Sequence, residues 1–165
     1  MEVFTDSDFA GDHNDRKSTS GYLVLWDEAA VSWSSKKQNI VALSSTEAEY
    51  VAAAACACQV IWIRGILEEL GMKQEDGTII KCDNTSTIKL SKNPVFHGKC
   101  KHIGVKFHFL RDLVRRGTVQ LQHVGTKEQI ADIFTKPLHR EFFVKLRERL
   151  GVCSLKDKQD IDCNV

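Results

Sequence analysis

The sequence predicts an α/β domain built on a five-stranded mixed sheet, an antiparallel meander followed by parallel strands, with helices on both faces. Three short β-prone runs come first and are joined by short polar connections, which is typical of a meander. A long apolar helix follows over 41–70. Two more β-prone runs then alternate with helical patterns, as in the βα units of a parallel sheet.

Each strand is predicted from a short run of β-branched, aliphatic or aromatic residues between polar turns. In the third run, Val31 and Trp33 alternate with Ser32 and Ser34, which indicates a strand with two unlike faces. The five predicted strands are 3–5, 21–26, 30–34, 78–82 and 119–124.

The long helix is predicted from its ends as well as from its interior. Ser44 is followed three residues later by Glu47, a capping-box pattern, and Gly71 is a natural terminator. Further helices are predicted at 86–91, 103–116, 128–135 and 138–150. We expect one domain over residues 1–152, followed by a polar, disordered tail over 153–165.

Composition is that of an ordinary intracellular globular protein. The 165 residues fit one domain, and 42% apolar and 27% charged residues are typical of such domains. A net charge of +1 does not by itself indicate a polyanionic partner. The six cysteines form no CxxC pair, which favours reduced thiols. No signal-peptide pattern is present, and the longest apolar run is too short to span a bilayer. We therefore expect a cytoplasmic or nuclear protein with no membrane contact.

Four carboxylates fall where α/β sheets form their sites. Asp6 and Asp83 end the first and fourth predicted strands, Glu49 lies early in the long helix, and Asp132 lies in the helix after the fifth strand. Sites form beside strand ends where the chain order switches, so neighbouring first and fourth strands would bring these acids together. Four carboxylates need a strong cation, and hard oxygen ligands favour Mg²⁺ or Mn²⁺. Two such ions about 3.5–4 Å apart catalyse in-line phosphodiester displacement.

A series of short blocks runs through most of the chain. The blocks are TDSDFAGD (5–12), RKSTSGY (16–22), SWSSKKQ (32–38), ALSSTEAEY (42–50), CDN (82–84), NPVFH (93–97), KHI (101–103), HFLR (108–111) and QIADIFTK (129–136). In content and order they resemble the ribonuclease H domain of copia-type retrotransposon Pol polyproteins. The resemblance covers about residues 3–150.

The resemblance implies a ribonuclease H-like fold and cleavage of the RNA strand of an RNA–DNA hybrid with two divalent ions, Mg²⁺ or Mn²⁺. The family's acidic quartet corresponds to Asp6, Glu49, Asp83 and Asp132. Asp6 would bridge the two ions, with Glu49 and Asp83 on one side and Asp132 on the other. One ion would activate the attacking water and the other would stabilise the leaving 3′ oxygen. Because all four acids are present, the resemblance favours a catalytically active enzyme.

The resemblance also implies partners. In the family, a reverse transcriptase domain is fused upstream, and a transposon-encoded chain would be associated with virus-like particles. Many cellular ribonucleases H carry a histidine in the loop before the last acid, whereas the loop 125–128 here has none. The oligomeric state is left open by the sequence.

Candidate contacts with nucleic acid are polar groups near the acids and basic residues in clusters. Ser7, Asn84 and Thr85 are candidates for contacting 2′-hydroxyl groups, and Lys36, Lys37, Lys101 and Arg111 for contacting phosphates. The alternative for the basic residues is a solvated surface, as charge runs usually are.

Several residues admit a second interpretation. Asp8 could be a metal ligand, but aspartates in turns are usually solvated. His97, Cys100 and His102 resemble half of a zinc site, yet no fourth ligand stands at a matching spacing.

Two other functions remain open beside the nuclease. One is a catalytically inactive nucleic-acid-binding module that retains the fold, and the other is a structural remnant of a polyprotein. A transposase-like use of the fold is disfavoured by the four acids. Trp33 and Trp62 are expected in the core rather than on the surface as stacking platforms.

Overall fold

The computed structural model describes residues 1–93 and 103–152. Its strands are β1 (Glu2–Ser7), β2 (Thr19–Trp26), β3 (Ala29–Lys37), β4 (Thr78–Cys82) and β5 (Val119–His123). Its α-helices are α1 (Ser45–Glu69), α2 (Thr85–Lys92), α3 (Gly104–Arg115) and α4 (Arg140–Arg149). Two short 3₁₀ segments, Thr126–Glu128 and Ile130–Phe134, lie between β5 and α4.

The sheet is mixed, as the sequence predicts. Its strand order is β3-β2-β1-β4-β5. β2 pairs antiparallel with β1 and with β3, whereas β4 pairs parallel with β1 and with β5. Because β1 and β4 are parallel neighbours, their carboxyl ends lie at the same edge of the sheet.

Both faces of the sheet are covered, because side chains along each strand alternate between them. Val3 and Val24 belong to the larger core, which is shared with α1 and α3. Phe4 and Leu23 belong to a second core, shared with the 3₁₀ segment Ile130–Phe134. The predicted helices on both faces are confirmed.

α1 is the central helix of the larger core. Ser44 caps it, accepting a hydrogen bond from the Glu47 amide at 3.2 Å. The Glu47 carboxylate accepts a hydrogen bond from the amide of Leu43 at 3.1 Å, one residue before the cap. By length and composition α1 could cross a membrane, contrary to the sequence expectation, but half of its most apolar window is buried in the domain. We therefore interpret α1 as the core helix of a globular domain.

Two expectations about local structure are wrong. The helix predicted over 128–135 is instead a 3₁₀ segment, closed by i→i+3 hydrogen bonds such as Asp132 N to Gln129 O. The segment is too short for an α-helix, because Pro137 cannot continue it. Trp33 and Trp62 are 59% and 61% exposed, so neither lies in the core.

Candidate active site

Three of the four predicted acids meet at the edge of the sheet where β1 and β4 end. Asp6, Asp83 and Asp132 each offer an oxygen, and these atoms lie within 4.8 Å of one another. Asp6 and Asp132 are each 1% exposed, whereas Asp83 is half-buried. Burial of like charges at this distance is unfavourable unless a cation or a proton offsets it.

Asp132 reaches this edge because its 3₁₀ segment packs directly on the sheet. Gly21 stands opposite Asp6 in the β1–β2 register. A Cβ at Gly21 would lie 2.6 Å from Thr135 Cγ2 and 3.2 Å from the carbonyl oxygen of Ala131. Only a glycine allows this close approach without displacement of the segment.

Gln129 joins the same segment to β1. Its side chain is fully buried, and its Nε2 donates to the carbonyl oxygen of Thr5 at 2.9 Å. That carbonyl lies just past Val3 and Phe4, the β1 residues paired with β4. The other side-chain atom of Gln129, Oε1, accepts a hydrogen bond from the amide of Ala131 at 3.3 Å, at the start of the 3₁₀ segment. Gln129 therefore links the strand of Asp6 to the segment of Asp132.

Glu49 approaches the cluster from α1. Its Oε1 accepts from the Ser7 amide at 3.3 Å, and its Oε2 lies 3.8 Å from Cys82 Sγ. Burial, followed by the charges of Asp6 and Asp83, raises the pKa of Glu49 to about 9. In this state Glu49 carries a proton at neutral pH.

Lys136 and Thr135 meet the cluster from the other side. Lys136 Nζ lies 2.9 Å from Asp132 Oδ1 and 3.5 Å from Asp6 Oδ2. The Thr135 hydroxyl donates to Asp6 Oδ2. Burial, followed by the Asp6 charge, raises the pKa of Asp132 to about 7 although Lys136 opposes the shift. Burial would lower the pKa of Lys136, but the charges of Asp6 and Asp132 raise it.

The donor set fits a divalent cation. Asp132 Oδ1 is fully buried, and no donor in the described part of the chain makes a well-aligned hydrogen bond to it. Its contact with Lys136 is thus an ion pair without hydrogen-bond geometry. Carboxylate oxygens are the ligands that Mg²⁺ and Mn²⁺ prefer, and such an ion could coordinate this buried oxygen in place of the ammonium group. Asp6, Asp83 and Asp132 could hold such an ion, with Glu49 beside them.

The loop 125–128, which contains no histidine, contacts the cluster. Thr126, in the first 3₁₀ segment, donates its hydroxyl to Asp83 Oδ2 at 3.2 Å. His123 ends β5, before this loop, and is exposed. A hydroxyl therefore orients the most exposed acid of the cluster.

Some of the polar residues predicted to contact nucleic acid make hydrogen bonds within the domain. Ser7 is buried, and its hydroxyl donates to the carbonyl oxygen of Thr19 at 3.0 Å. Asp8 accepts from the Thr19 amide and lies outside the three-acid group. Asn84 caps α2 through Thr87, whereas Thr85 is exposed beside the cluster.

The basic candidates differ in their surroundings. Lys37 pairs with Asp12 at 2.6 Å and with Asp15 at 2.9 Å, so its charge is locally offset. Lys36 is exposed at the end of β3 and lines a cavity with Lys106. Arg111 lies over the ring of Phe107, with 5.7 Å between its Cζ and the ring centroid. Lys101 and the zinc candidates His97, Cys100 and His102 lie outside the described residues, as does the predicted tail.

Sequence reasoning missed three residues that shape the site. Gly21 is the first residue of the second predicted strand, and a glycine within a strand is a signal of close backbone approach. Lys136 stands four residues after Asp132, the spacing of a helical ion pair. Gln129 carries no such signal, because a buried glutamine is recognised only from its tertiary partners.

Comparison with known sequences identifies the chain's relatives. No protein-family model matches the chain. It is 43% identical over 152 residues, 92% of its length, to the retrovirus-related Pol polyprotein from transposon RE1 of Arabidopsis thaliana. It is 42% identical over 154 residues, 93% of its length, to that from transposon TNT 1-94 of Nicotiana tabacum. The chain spans only 10% and 12% of the lengths of these two relatives.

Comparison with solved structures confirms the fold. LC11-RNase H1, isolated from compost, matches with a TM-score of 0.56 at 16% identity, over 87% of this chain and 94% of that one. The same protein in complex with an RNA/DNA hybrid matches with a TM-score of 0.56 at 12% identity, over 81% and 91% of the two chains. The chain therefore belongs to the copia-type retrotransposon Pol polyproteins, as a domain with the ribonuclease H fold.

Proposed function

We propose that the chain is a divalent-metal-dependent endoribonuclease that cleaves the RNA strand of RNA–DNA hybrids. One observation carries the proposal: Asp6, Asp83 and Asp132, distant in sequence, converge at the edge of a ribonuclease H-type sheet. Homology to Pol polyproteins supports a nucleic-acid function of the ribonuclease H type. The hybrid bound by LC11-RNase H1 supports the same class of substrate.

Two Mg²⁺ ions, or Mn²⁺ in their place, are the proposed cofactors. When bound, such ions activate water and stabilise the charge that develops on the leaving oxygen. Asp6 interacts with both Glu49 and Asp132, which supports the proposal that it would be a ligand of both ions. Glu49 and Asp83 would complete one ion site, and Asp132 the other.

Proton release accompanies ion binding in this proposal. Glu49, with its pKa raised to about 9 by burial and by Asp6 and Asp83, must lose its proton before it becomes a ligand. Ion affinity is therefore expected to rise with pH through the neutral range.

Substrate contacts are proposed for residues that the fold leaves accessible. Asn84 and Thr85 directly follow Asp83 and are proposed to contact the 2′-hydroxyl groups that distinguish RNA from DNA. Lys36 and Arg111 are proposed phosphate contacts. We further propose that a reverse transcriptase domain lies upstream in the polyprotein and that the protein acts inside the cell.

The test is cleavage of a labelled RNA–DNA hybrid by the full chain, first in Mg²⁺ and then in Mn²⁺. We expect cuts in the RNA strand that vanish in Asp83→Asn and in chelator. Asp76→Asn, a carboxylate-to-amide change in an exposed loop, is the matched control and is expected to leave cleavage unchanged.

A folded wild-type chain that cuts nothing in either ion would overturn the proposal. Titration with the same labelled hybrid would then separate the alternatives. Saturable binding would identify an inactive nucleic-acid-binding module, and its absence would identify a polyprotein remnant.

A further inference from the structure

The ammonium group of Lys136 lies among the acids of the cluster. Its Nζ pairs with Asp132 Oδ1 at 2.9 Å and with Asp6 Oδ2 at 3.5 Å, both on carboxylates that are at most 2% exposed. Among the ion pairs of residues 1–93 and 103–152, none places another cation on Asp6, Asp83 or Asp132. Lys136 is thus the cation that offsets this charge in the described structure.

Backbone contacts fix the position of the Lys136 main chain beside the cluster. Lys136 directly follows the 3₁₀ segment, and its amide donates to the carbonyl oxygen of Asp132 at 3.3 Å. Pro137 comes next and restricts the chain on the other side. The side chain itself is flexible and 35% exposed, so its ammonium group has a path to solvent.

We propose that Lys136 is a built-in counter-ion that holds the acid cluster together until a divalent ion displaces its ammonium group. The inference rests on the proposed metal site. Mg²⁺ binds oxygen at about 2.0–2.1 Å, so an ion shared by Asp6 and Asp132 would lie beside Nζ. Two positive charges at that distance repel each other, and the same carboxylate oxygens cannot serve both well. Lys136 therefore leaves as the ion binds.

Competition of this kind has two linked consequences. The lysine stabilises the ion-free protein, because without it Asp6 and Asp132 would be buried as like charges with no cation between them. It also weakens ion binding, because its interactions with both carboxylates are lost when the ion arrives. Removal of the ammonium group should thus lower stability in chelator and raise ion affinity.

Lys136→Met is the direct test, because methionine keeps much of the apolar stem and removes the charge. The full chain is titrated with Mn²⁺ at fixed ionic strength and free Mn²⁺ is followed by electron paramagnetic resonance. We expect the variant to bind its first Mn²⁺ about five- to tenfold more tightly than the wild type, the size of one partly buried ion pair. Thermal melting should show a lower midpoint in chelator and a larger upward shift with saturating Mg²⁺.

Lys127→Met is the matched control. Lys127 is exposed in the loop that carries Thr126, and the described residues show no ion pair for it. Its removal changes the net charge equally, so it should leave Mn²⁺ affinity within about twofold of wild type. Lys136→Arg keeps the charge and should restore wild-type affinity. Lys136→Gln replaces Lys136→Met if the latter does not fold.

Equal or weaker Mn²⁺ binding by the neutral Lys136 variants would overturn the inference, while Mn²⁺-dependent cleavage by the wild type would leave the proposed function standing. If neither the wild type nor the variants bind Mn²⁺, both the inference and the metal site fail. Tighter binding by the Lys136 variants that is matched by Lys127→Met would also overturn it, since bulk charge alone would then be the cause.

Discussion

The two sides of Asp6 contain like charges that the protein offsets differently. Toward Asp132, the ammonium group of Lys136 lies between the two carboxylates. Toward Glu49, no ion pair is present among the described residues, and burial together with Asp6 and Asp83 raises the pKa of Glu49 to about 9. One side is thus neutralised by a cation and the other by a proton. The proposed ion site can therefore be stable without ions, because a cation offsets the repulsion on one side and a proton offsets it on the other.

The difference also indicates what each side gives up when ions bind. In the proposed ion binding, the Lys136 side exchanges one cation for another, and it also releases a proton below about pH 7, because burial and the Asp6 charge raise the pKa of Asp132 to about 7. The Glu49 side has no cation to exchange and releases a proton at any pH below about 9, the value to which burial and the charges of Asp6 and Asp83 raise the pKa of Glu49. Variants that act on one side alone separate the two mechanisms.

The largest effect is expected for Asp6→Asn, because Asp6 belongs to both sides. Loss of its charge removes the proposed ligand shared by both ions, and cleavage should fall by roughly a thousandfold. Hybrid cleavage and Mn²⁺ titration are the measurements, with Asp76→Asn as the exposed control. Activity within tenfold of wild type would show that the two sides do not share Asp6.

The next effect is on stability and concerns Glu49 alone. Its pKa in the folded state is about 9, above the ordinary 4.5, so between these values the folded state keeps a proton that the unfolded state has lost. Stability in chelator therefore falls as pH rises through this window. Glu49→Gln carries no ionisable group and should be more stable than wild type at pH 8 by more than about 2 kcal/mol, with a smaller difference at pH 5.

Denaturant unfolding in chelator from pH 5 to pH 8.5 measures this difference. Glu69→Gln, an exposed position near the other end of α1, is the control and should follow the wild-type profile. Parallel profiles for Glu49→Gln and wild type would contradict the assignment of the proton to Glu49.

A smaller effect is expected for Gln129→Leu, which acts on the Lys136 side. The substitution leaves the Thr5 carbonyl without its 2.9 Å donor and releases the segment that carries Asp132. We expect a loss of about 1–2 kcal/mol of unfolding free energy together with lower cleavage. Gln122→Leu, at an exposed position of β5, is the matched control. If both variants lose stability equally, Gln129 has no special role in joining β1 to Asp132.

Much of this architecture could be predicted from local pattern. Asp6 and Asp83 lie at strand ends, so they were predicted to meet if β1 and β4 are neighbours. The sheet order confirms that β1 and β4 are neighbours, and the two carboxylates do meet. The carboxyl of Glu49 was predicted at the same place from the helix start. Strand ends and helix starts are local features, and topology rules convert them into proximity.

The contacts that organise the site could not be predicted in this way. Whether Gln129 meets Thr5 depends on how closely a 3₁₀ segment packs on β1, which no periodicity encodes. The expectation for Trp33 failed for a related reason. Alternation on β3 shows two faces but not which is buried, and it is Ser32 that faces α1, accepting from Gln59 at 3.1 Å.

The smallest effect concerns substrate binding and extends the comparison to two adjacent lysines. Lys37, like Lys136, is committed to carboxylates, those of Asp12 and Asp15, whereas Lys36 shows no ion pair in the described structure. Lys36→Met should weaken hybrid binding and reduce the slope of log affinity against log salt by about 0.9, the value for one phosphate contact. Lys37→Met should change the slope less, because its charge is already offset.

Fluorescence anisotropy with labelled hybrid in chelator, from low to physiological salt, measures both slopes without cleavage. Equal slopes for the two variants would contradict this prediction. They would show that the ion pairs of Lys37 with Asp12 and Asp15 do not reduce its contribution to nucleic-acid binding relative to Lys36.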